Sequence, residues 1–226
     1  MKVLLLENIH SEAVRALESR GHEVEVRSSA LDEAELIDAL DGVELLGIRS
    51  RTYITERVLK AHPQLVAVGA FCIGTNQIDL LAAAATGVAV FNAPYSNTRS
   101  VVELALGEII TMARRLGDRN ASMHAGIWDK SATGSHEVRG RTLGIVGYGN
   151  IGSQLSVLAE GLGMRVYFYD IVDRLALGNA TRVYSLQELF ERCETITLHV
   201  DGRASNANMI GEKEFSQMRP RTLFLN

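Results

Sequence analysis

The chain has 226 residues and a formal net charge of −4, which suits one large or two small domains and leaves no basic footprint for nucleic acid. No apolar run reaches the length of a membrane span, and the first apolar residues are too few for a signal peptide. Nucleic acid and membranes are therefore not expected partners. Cys72 and Cys193 lie in apolar or strand-like contexts, which favours buried free thiols in a reducing cytoplasm over a disulfide.

Strands and helices alternate along the first 96 residues. Short apolar runs predict five strands, at 3–6, 23–27, 45–48, 65–71 and 88–91. Segments between them that close near Gly or Pro predict helices at 11–20, 31–40, 55–62 and 79–87, and Ser11, Thr55 and Asp79 open three of these helices. Run 65–71 is apolar throughout, which is typical of a strand buried on both faces. The alternation predicts a parallel, doubly wound α/β sheet.

A second unit is predicted for residues 97–226. A long amphipathic helix at 101–115 opens it, and a polar stretch at 117–140 without periodicity predicts irregular structure. A strand, a helix and a strand then span 143–170. Further helices are predicted at 186–191 and 211–218, and further strands at 195–199 and 222–225. The fold class is therefore α/β, with two doubly wound parallel-sheet units.

Segment 143–170 carries the strongest motif of the chain. Gly147 allows a tight turn, Gly149 lets the backbone approach a pyrophosphate, and Gly152 lets the helix pack closely on the strand. The amino terminus of the helix adds free N–H groups and the positive end of its dipole. Asp170 ends the second strand, where a carboxylate accepts hydrogen bonds from a ribose diol and repels a 2′-phosphate. The motif predicts a site that prefers NAD to NADP.

Polar residues follow three strands of the first unit. Arg49-Ser50-Arg51 follows the third strand, segment 72–76 the fourth and segment 92–97 the fifth. Ligands of an open α/β sheet bind outside the carboxyl ends of the strands, and guanidinium groups pair with phosphate or carboxylate in a bidentate way. The three loops together predict a site for a small, strongly anionic molecule. For either arginine alone, a solvated loop charge is an equally good interpretation.

These segments also carry a resemblance to a known family. Five segments carry it: Arg49 to Thr52, Gly74 to Asp79, residues 91–100, the glycine motif, and Tyr167 to Asp170. The third of them contains the run Asn-Ala-Pro-Tyr-Ser-Asn-Thr-Arg-Ser. With them the chain resembles the D-isomer-specific 2-hydroxyacid dehydrogenases, and within that family the D-3-phosphoglycerate dehydrogenases. The resemblance implies oxidation of 3-phosphoglycerate to 3-phosphohydroxypyruvate with NAD, the first step of serine biosynthesis.

The resemblance also implies how the work is divided. Residues 1–96 would be the amino-terminal part of a flavodoxin-like substrate domain, and residues 97–226 an NAD-binding Rossmann-type domain, incomplete at its carboxyl end. Hydride would leave the substrate α-carbon in the cleft between the domains. The implied substrate contacts are Arg49, Ser50, Arg51 near the phosphate, Gly74, Asn97 and Lys130. The implied NAD contacts are Gly147, Gly149, Asn150, Ile151, Gly152, Asp170, His199 and Val200.

Two departures from the family pattern matter. Asp201 stands where the family usually has proline, which should alter one loop slightly. The family's catalytic Arg, Glu and His would all lie beyond Asn226, so the chain is expected to hold no catalytic residue and to be an inactive amino-terminal piece. Such a piece would leave a sheet edge unpaired and threaten stable folding.

The six histidines offer no clear replacement for the missing base, and no metal-ligand spacing occurs. His10 is expected in a surface loop, His22 and His62 at solvated helix ends, and His124 and His136 in the irregular stretch. His199, near the cofactor, is the best placed, although a structural histidine is the more favoured interpretation.

Two alternative functions and one question about assembly stay open at the level of sequence. The chain could serve a dehydrogenase of another 2-hydroxy acid, such as lactate or glycerate, although the Arg-Ser-Arg triplet favours a phosphorylated substrate. It could instead be a non-catalytic NAD-binding or interaction protein. The apolar face of helix 101–115, with Trp128, predicts a homo-oligomer contact, and packing inside the chain is an equally good interpretation of that face.

Overall fold

A computed structural model describes the backbone of residues 1–226 and every side chain except that of Ala204. The chain divides into two compact units, Met1–Ser96 and Asn97–Asn226. Each unit is built on a five-stranded sheet in which every recorded strand pair is parallel. The predicted α/β class with two parallel sheets is confirmed. Within the described residues, no helix is long and apolar enough to cross a membrane.

The sheet of the first unit has the strand order β2-β1-β3-β4-β5. This is the flavodoxin-like order, and its direction reverses between β1 and β3. The strands are β1 (Lys2–Leu5), β2 (Glu23–Val26), β3 (Leu45–Ile48), β4 (Ala67–Ala70) and β5 (Ala89–Asn92). The helices are α1 (Ser11–Glu18), α2 (Glu33–Ala39), α3 (Glu56–Ala61) and α4 (Leu80–Thr86).

Alternation along β1 explains why helices cover both faces of this sheet. Val3 and Leu5 are buried in one apolar cluster, while Leu4 and Leu6 are buried in another. Successive side chains of a strand point to opposite faces, so both faces of the sheet exclude water here. Burial on two faces is what a parallel sheet requires.

Three local expectations in the first unit are wrong. The strand predicted at 65–71 is only four residues long, and Val66 and Phe71 at its borders are 47% and 42% exposed, because apolar character alone does not fix strand length. His62 is buried, and its Nδ1 lies 3.1 Å from the side-chain nitrogen of Gln64. Cys72 is half-buried, whereas Cys193 in the second unit is buried as expected.

The sheet of the second unit has the order β10-β9-β6-β7-β8. Read from β8 and numbered within the unit, this is the 3-2-1-4-5 arrangement of a Rossmann-type sheet. Its switch point lies between β6 and β9. The strands are β6 (Thr142–Val146), β7 (Arg165–Tyr169), β8 (Thr181–Arg182), β9 (Thr195–Leu198) and β10 (Leu223–Leu225). The helices are α5 (Thr98–Arg114), α6 (Leu116–His124), α7 (Asn150–Gly161), α8 (Leu186–Arg192) and α9 (Glu212–Gln217), and a 3₁₀ turn spans Ala204–Asn206.

Helix α5 begins three residues before its predicted start, and most of its apolar face is internal. Val102, Ala105 and Ile109 are buried in the cluster that also holds Leu155 of α7. The face proposed for a partner is therefore largely core. The stretch 117–140 is not wholly irregular, since α6 occupies its first part; glycine, asparagine and serine in α6 are weak helix formers and conceal it in the sequence. Strand β8, only two residues long, was not predicted.

Candidate functional site

The glycine turn lies at the switch point of the second sheet, between the carboxyl ends of β6 and β9. Gly147 has a φ of +90°, and a Cβ there would come within 2.6 Å of the His199 carbonyl oxygen. A Cβ on Gly152 would come within 2.2 Å of the Gly147 carbonyl oxygen. At both positions the surrounding backbone leaves no room for a side chain, so glycine is required there, as the sequence motif predicts.

Gly149 differs from its two neighbours because the space beside it is open. No atom lies within 4 Å of the place where its Cβ would stand. Gly149 is also the N-cap of α7, and no side chain caps that end of the twelve-residue helix. The first N–H groups of α7 thus remain free for an anion, at the positive end of the helix dipole.

Asp170 follows β7 and borders the same turn. One of its carboxylate oxygens accepts a hydrogen bond from the backbone N–H of Tyr148 at 2.8 Å, and the other accepts from the backbone N–H of Val172 at 2.8 Å. The side chain of Arg174 approaches the carboxylate with an Nε–Oδ2 distance of 3.7 Å. The carboxylate is thereby held in one orientation, and its remaining lone pairs can accept from a diol.

These residues line a cavity of about 320 Å³. Six of the eight predicted nucleotide contacts lie on its wall: Gly147, Gly149, Asn150, Asp170, His199 and Val200. The other two do not. Ile151 packs against the apolar core, and Gly152 is buried beneath the turn. Both residues stay predictions as nucleotide contacts, and their backbone N–H groups lie in the uncapped first turn of α7.

His199 directly follows β9, beside the glycine turn, and its imidazole is a weak base. Burial lowers the pKa of its imidazole to about 4. Its Nε2 lies 3.0 Å from the hydroxyl oxygen of Thr197. The imidazole is therefore neutral at pH 7 and already hydrogen-bonded, which is the structural interpretation favoured from the sequence.

At the edge of the first sheet, the loop after β3 is attached to a carboxylate that follows β1. Glu7 accepts hydrogen bonds from the backbone N–H groups of Arg49 (3.1 Å), Arg51 (3.0 Å) and Thr52 (2.9 Å). Glu7 is only 7% exposed. Burial opposes its charge, but hydrogen bonds from Thr52 and the loop backbone outweigh burial and lower the pKa of Glu7 below its ordinary value.

The loops after β3, β4 and β5 are joined to one another, as predicted. The side-chain nitrogen of Gln77 donates to the carbonyl oxygens of Arg49 (2.7 Å) and Gly74 (3.3 Å). The Cys72 thiol lies 3.4 Å from the same Arg49 oxygen, and Asn92 donates to the carbonyl of Ile73 at 2.7 Å. Arg49 and Gly74 therefore belong to one hydrogen-bonded sheet edge.

The side chains of this edge remain available. Arg49, Ser50 and Arg51 are exposed. Within the part of the chain that the structure describes, neither guanidinium forms an ion pair. Two free guanidinium groups on a fixed backbone can pair with phosphate or carboxylate oxygens.

The remaining two predicted substrate contacts lie in the second unit. Asn97 is the N-cap residue of α5, although its side chain makes no capping hydrogen bond. Lys130 is exposed in the loop after α6, with its Nζ 5.9 Å from the ring centroid of Trp128. Both stay predictions as substrate contacts. Among the described residues, no group of three or more His, Cys, Asp or Glu side chains is arranged for a metal ion.

Several residues at these sites were missed in the sequence. Glu7 and Gln77 hold the first edge, Arg174 and Arg203 line the cavity of the second unit, and the hydroxyl of Tyr148 accepts from the backbone N–H of Leu177 at 3.3 Å. Only Glu7 has a signal that could have found it, since an acid directly after an apolar strand lies at the ligand-facing edge. The others depend on contacts between distant residues.

The loop with Asp201, where the family usually has proline, is ordered by side-chain contacts. Arg203 Nε donates to Asp201 at 2.7 Å, and the Asn206 side chain donates to the same carboxylate at 3.0 Å. The hydrogen bond and charge of Arg203 lower the pKa of Asp201. Asp201 is thus held in a hydrogen-bonded turn with Arg203 and Asn206.

Comparison with known proteins agrees with this architecture. The family model for the D-isomer specific 2-hydroxyacid dehydrogenase catalytic domain matches residues 3–214. A D-3-phosphoglycerate dehydrogenase of Haemophilus influenzae is 50% identical over the whole chain, which covers 55% of that protein. The chain spans about half the length of the curated relatives it matches.

Solved structures show the same fold. The TT0316 protein of Thermus thermophilus superposes with a TM-score of 0.89 at 27% identity, covering 97% of this chain and 71% of that one. A D-lactate dehydrogenase of Aquifex aeolicus, solved with NAD and lactic acid, superposes with a TM-score of 0.85 at 24% identity, covering 99% of this chain and 67% of that one. The chain therefore belongs to the D-isomer specific 2-hydroxyacid dehydrogenase family.

Proposed function

We propose that the second unit binds NAD in the cavity beside the glycine turn. The observation that carries this proposal is the open space at Gly149, which faces uncapped N–H groups of α7 and opens into the cavity lined by Asp170. A pyrophosphate fits the first feature and a ribose diol fits the second. The relative solved with NAD shares the fold, and the family model covers most of this unit.

The same geometry favours NAD over NADP. The Asp170 carboxylate, fixed by two backbone N–H groups, would repel the extra phosphate of NADP. Arg174 lies close enough to weaken this repulsion but is itself drawn toward the carboxylate. We therefore expect selectivity for NAD that depends on Asp170.

We further propose that the first unit binds 3-phosphoglycerate through Arg49, Ser50 and Arg51, as part of an enzyme that oxidises it to 3-phosphohydroxypyruvate in serine biosynthesis. The free guanidinium groups supply charge for a phosphate and a carboxylate. The 50% identity to a D-3-phosphoglycerate dehydrogenase supports this substrate over an unphosphorylated one. NAD, when bound, accepts a hydride from the substrate α-carbon. Gly74, Asn97 and Lys130 are proposed as further contacts.

The chain on its own is proposed to bind these ligands without turning them over. Oxidation of a hydroxyl group needs a base within hydrogen-bond reach of it. The Glu7 carboxylate already accepts three backbone hydrogen bonds, and the pKa of His199 is about 4, so neither is a ready proton acceptor at pH 7. NADH production from 3-phosphoglycerate by the purified chain would contradict this proposal.

Calorimetric titration of the chain tests both binding proposals. NAD should bind more tightly than NADP, and 3-phosphoglycerate should bind more tightly than glycerate. Arg51→Ala should weaken 3-phosphoglycerate at least about tenfold, because a charge-assisted hydrogen bond contributes about 1.5–3 kcal/mol. Arg57→Ala is the matched control, since Arg57 is exposed on the same unit but paired with Glu33. Equal affinity for glycerate and 3-phosphoglycerate would favour another 2-hydroxy acid.

A homo-oligomer remains a proposal, in a narrower form. The internal face of α5 is core, so the contact would use the exposed residues Leu104, Ile127 and Trp128, which are 65%, 59% and 69% exposed. Exposed apolar side chains of this size are typical of interfaces. Light scattering on the chain and on Trp128→Ala should show a larger assembly that the substitution weakens.

The free thiols of Cys72 and Cys193 support a cytoplasmic location, which is likewise proposed.

A further inference from the structure

We infer that Glu7 is the positioning residue of the proposed anion site. It fixes the backbone of the Arg49–Thr52 loop, so that this backbone is already ordered when the two guanidinium groups meet an anion. The inference rests on the proposed substrate site. Glu7 does not touch the ligand in this account. It acts through the backbone of the loop that carries Arg49 and Arg51.

Position in the sheet is the first support. Glu7 follows β1 and Arg49 follows β3, and these strands pair in parallel through Leu5 and Gly47. The order of the sheet reverses between β1 and β3, and ligands of such sheets bind at the reversal. Glu7 thus lies at the switch point of its sheet, and its buried side chain contacts the Arg49–Thr52 loop, whose arginine side chains are exposed.

Backbone conformation is the second support. Glu7 and the following Asn8 have φ values of +61° and +57°, in the left-handed region that side chains other than glycine adopt rarely. This bend lets the chain turn while the Glu7 side chain stays buried against the loop. A glycine would take the same bend without strain, so the presence of a carboxylate here indicates that the side chain is needed.

The hydrogen-bond pattern is the third support. Both carboxylate oxygens are used, one by Arg49 and Thr52 and the other by Arg51. Backbone N–H groups that converge in this way can form a nest for an anion. Because Glu7 fills the nest, an incoming anion has to meet the guanidinium groups instead. On the other side of the loop, Gln77 holds the carbonyl of Arg49.

The test compares Glu7→Gln with Glu44→Gln in the 226-residue chain. Glutamine keeps the size of Glu7 but offers one acceptor and a donor where two acceptors are needed. Glu44 accepts from the backbone N–H of Lys2 at 3.0 Å at the amino end of the same sheet and serves as the matched control. Titration with 3-phosphoglycerate and with NAD is combined with hydrogen exchange of the Arg51 and Thr52 amides.

Glu7→Gln should speed exchange of both amides and weaken 3-phosphoglycerate binding about tenfold, because the backbone of the Arg49–Thr52 loop must then be ordered on binding. NAD affinity should stay within about twofold, since the second unit is untouched. Glu44→Gln should change neither ligand. If the parent chain binds 3-phosphoglycerate and Glu7→Gln binds it equally well, the inference about Glu7 is overturned while the proposed substrate site stands.

Two further outcomes are also decisive. If the parent chain binds NAD but no 3-phosphoglycerate, the proposed substrate site fails and the inference fails with it. If Glu7→Gln does not fold, Glu7→Asp decides, because it keeps the charge but is one methylene too short to reach all three N–H groups. It should bind 3-phosphoglycerate at least about threefold more weakly than the parent chain; an equal affinity would overturn the inference.

Discussion

The two units use the same part of a parallel sheet in opposite ways. At the switch point of the second unit, backbone N–H groups of α7 are left uncapped and open to a ligand. At the switch point of the first unit, backbone N–H groups of the Arg49–Thr52 loop are taken by Glu7, and the exposed side chains are left to a ligand. The nucleotide site proposed for the second unit therefore presents its main chain, and the anion site proposed for the first unit presents guanidinium groups on a fixed main chain.

The largest effect should come from filling the turn of the second unit. In Gly152→Ala the added methyl group overlaps severely with the Gly147 carbonyl oxygen, since the Cβ would lie only 2.2 Å from it. Overpacking between backbone atoms cannot be relieved by a rotamer change, so we expect a loss of about 3 kcal/mol in the free energy of unfolding. Urea titration measures it. Native stability in this variant would mean that the turn is not packed as described.

The matched change at Gly149 should separate binding from folding. Gly149→Ala meets no atom within 4 Å, so stability should change by no more than about 0.5 kcal/mol. NAD affinity should fall at least about tenfold, because the methyl group would occupy the approach of the pyrophosphate. If Gly149→Ala bound NAD normally, the claim that this turn presents its main chain to the ligand would be wrong.

Removing the Asp170 carboxylate should alter nucleotide preference. Asp170→Ala releases the N–H groups of Tyr148 and Val172 and removes the charge that repels a 2′-phosphate. We expect NAD to bind several-fold more weakly and the preference over NADP to shrink about tenfold. Asp173→Ala is the control, since Asp173 is exposed on the same loop and paired with Arg182. An unchanged ratio of the two affinities in Asp170→Ala would remove the basis for selectivity.

A smaller effect is expected from the hydroxyl group of Tyr148. Its ring stacks on Phe168 with centroids 3.7 Å apart, while its hydroxyl lies 2.6 Å from the Ser156 hydroxyl and accepts from Leu177 N–H. Tyr148→Phe keeps the stacking and should cost about 1–2 kcal/mol of stability. Tyr184→Phe, at an exposed ring, should cost nothing measurable by thermal melting. Equal melting temperatures of the two variants would deny the hydroxyl a role.

The acid side of the stability curve should be shaped by His199. Its folded pKa is lowered to about 4 from an ordinary 6.5, so below pH 6.5 the unfolded chain gains a proton that the folded chain does not. This histidine therefore makes stability fall as pH decreases from 6.5 to 4, and it has no effect above 6.5. His199→Gln should flatten that part of the curve, whereas His124→Gln, at an exposed site, should not. Parallel curves would show that His199 titrates normally.

Glu7 acts on the same curve at lower pH. Its folded pKa is lowered from an ordinary 4.5, so its stabilising effect is complete above 4.5 and is lost as pH falls through the folded value. Glu7→Gln should therefore lower stability at pH 7 and make the loss below pH 4.5 less steep. Denaturant titrations at pH 7 and pH 3 measure both parts. A loss as steep as in the parent chain would place the acid sensitivity elsewhere.

The contrast between the units also explains what the sequence could reveal. Main-chain presentation needs glycines, and Gly147, Gly149 and Gly152 therefore indicate their site, as does Asp170 at its strand end. In the first unit, Arg49 and Arg51 could be predicted as anion contacts because they directly follow a predicted strand. The hydrogen bonds from their loop to Glu7 could not be predicted, because Glu7 lies 42 residues from Arg49 and no local sequence pattern connects the two. The fold class followed from periodicity, whereas the helix α6 and the short strand β8 lack it.

Amide and guanidinium resonances of the ¹⁵N-labelled chain test the contrast most directly. Adding NAD should shift the backbone amides of Gly149, Asn150 and Ile151. Adding 3-phosphoglycerate should shift the side-chain N–H signals of Arg49 and Arg51 while the backbone amides of Arg51 and Thr52 stay protected from exchange. Large shifts and faster exchange at those two backbone amides, with the guanidinium signals unmoved, would contradict the account.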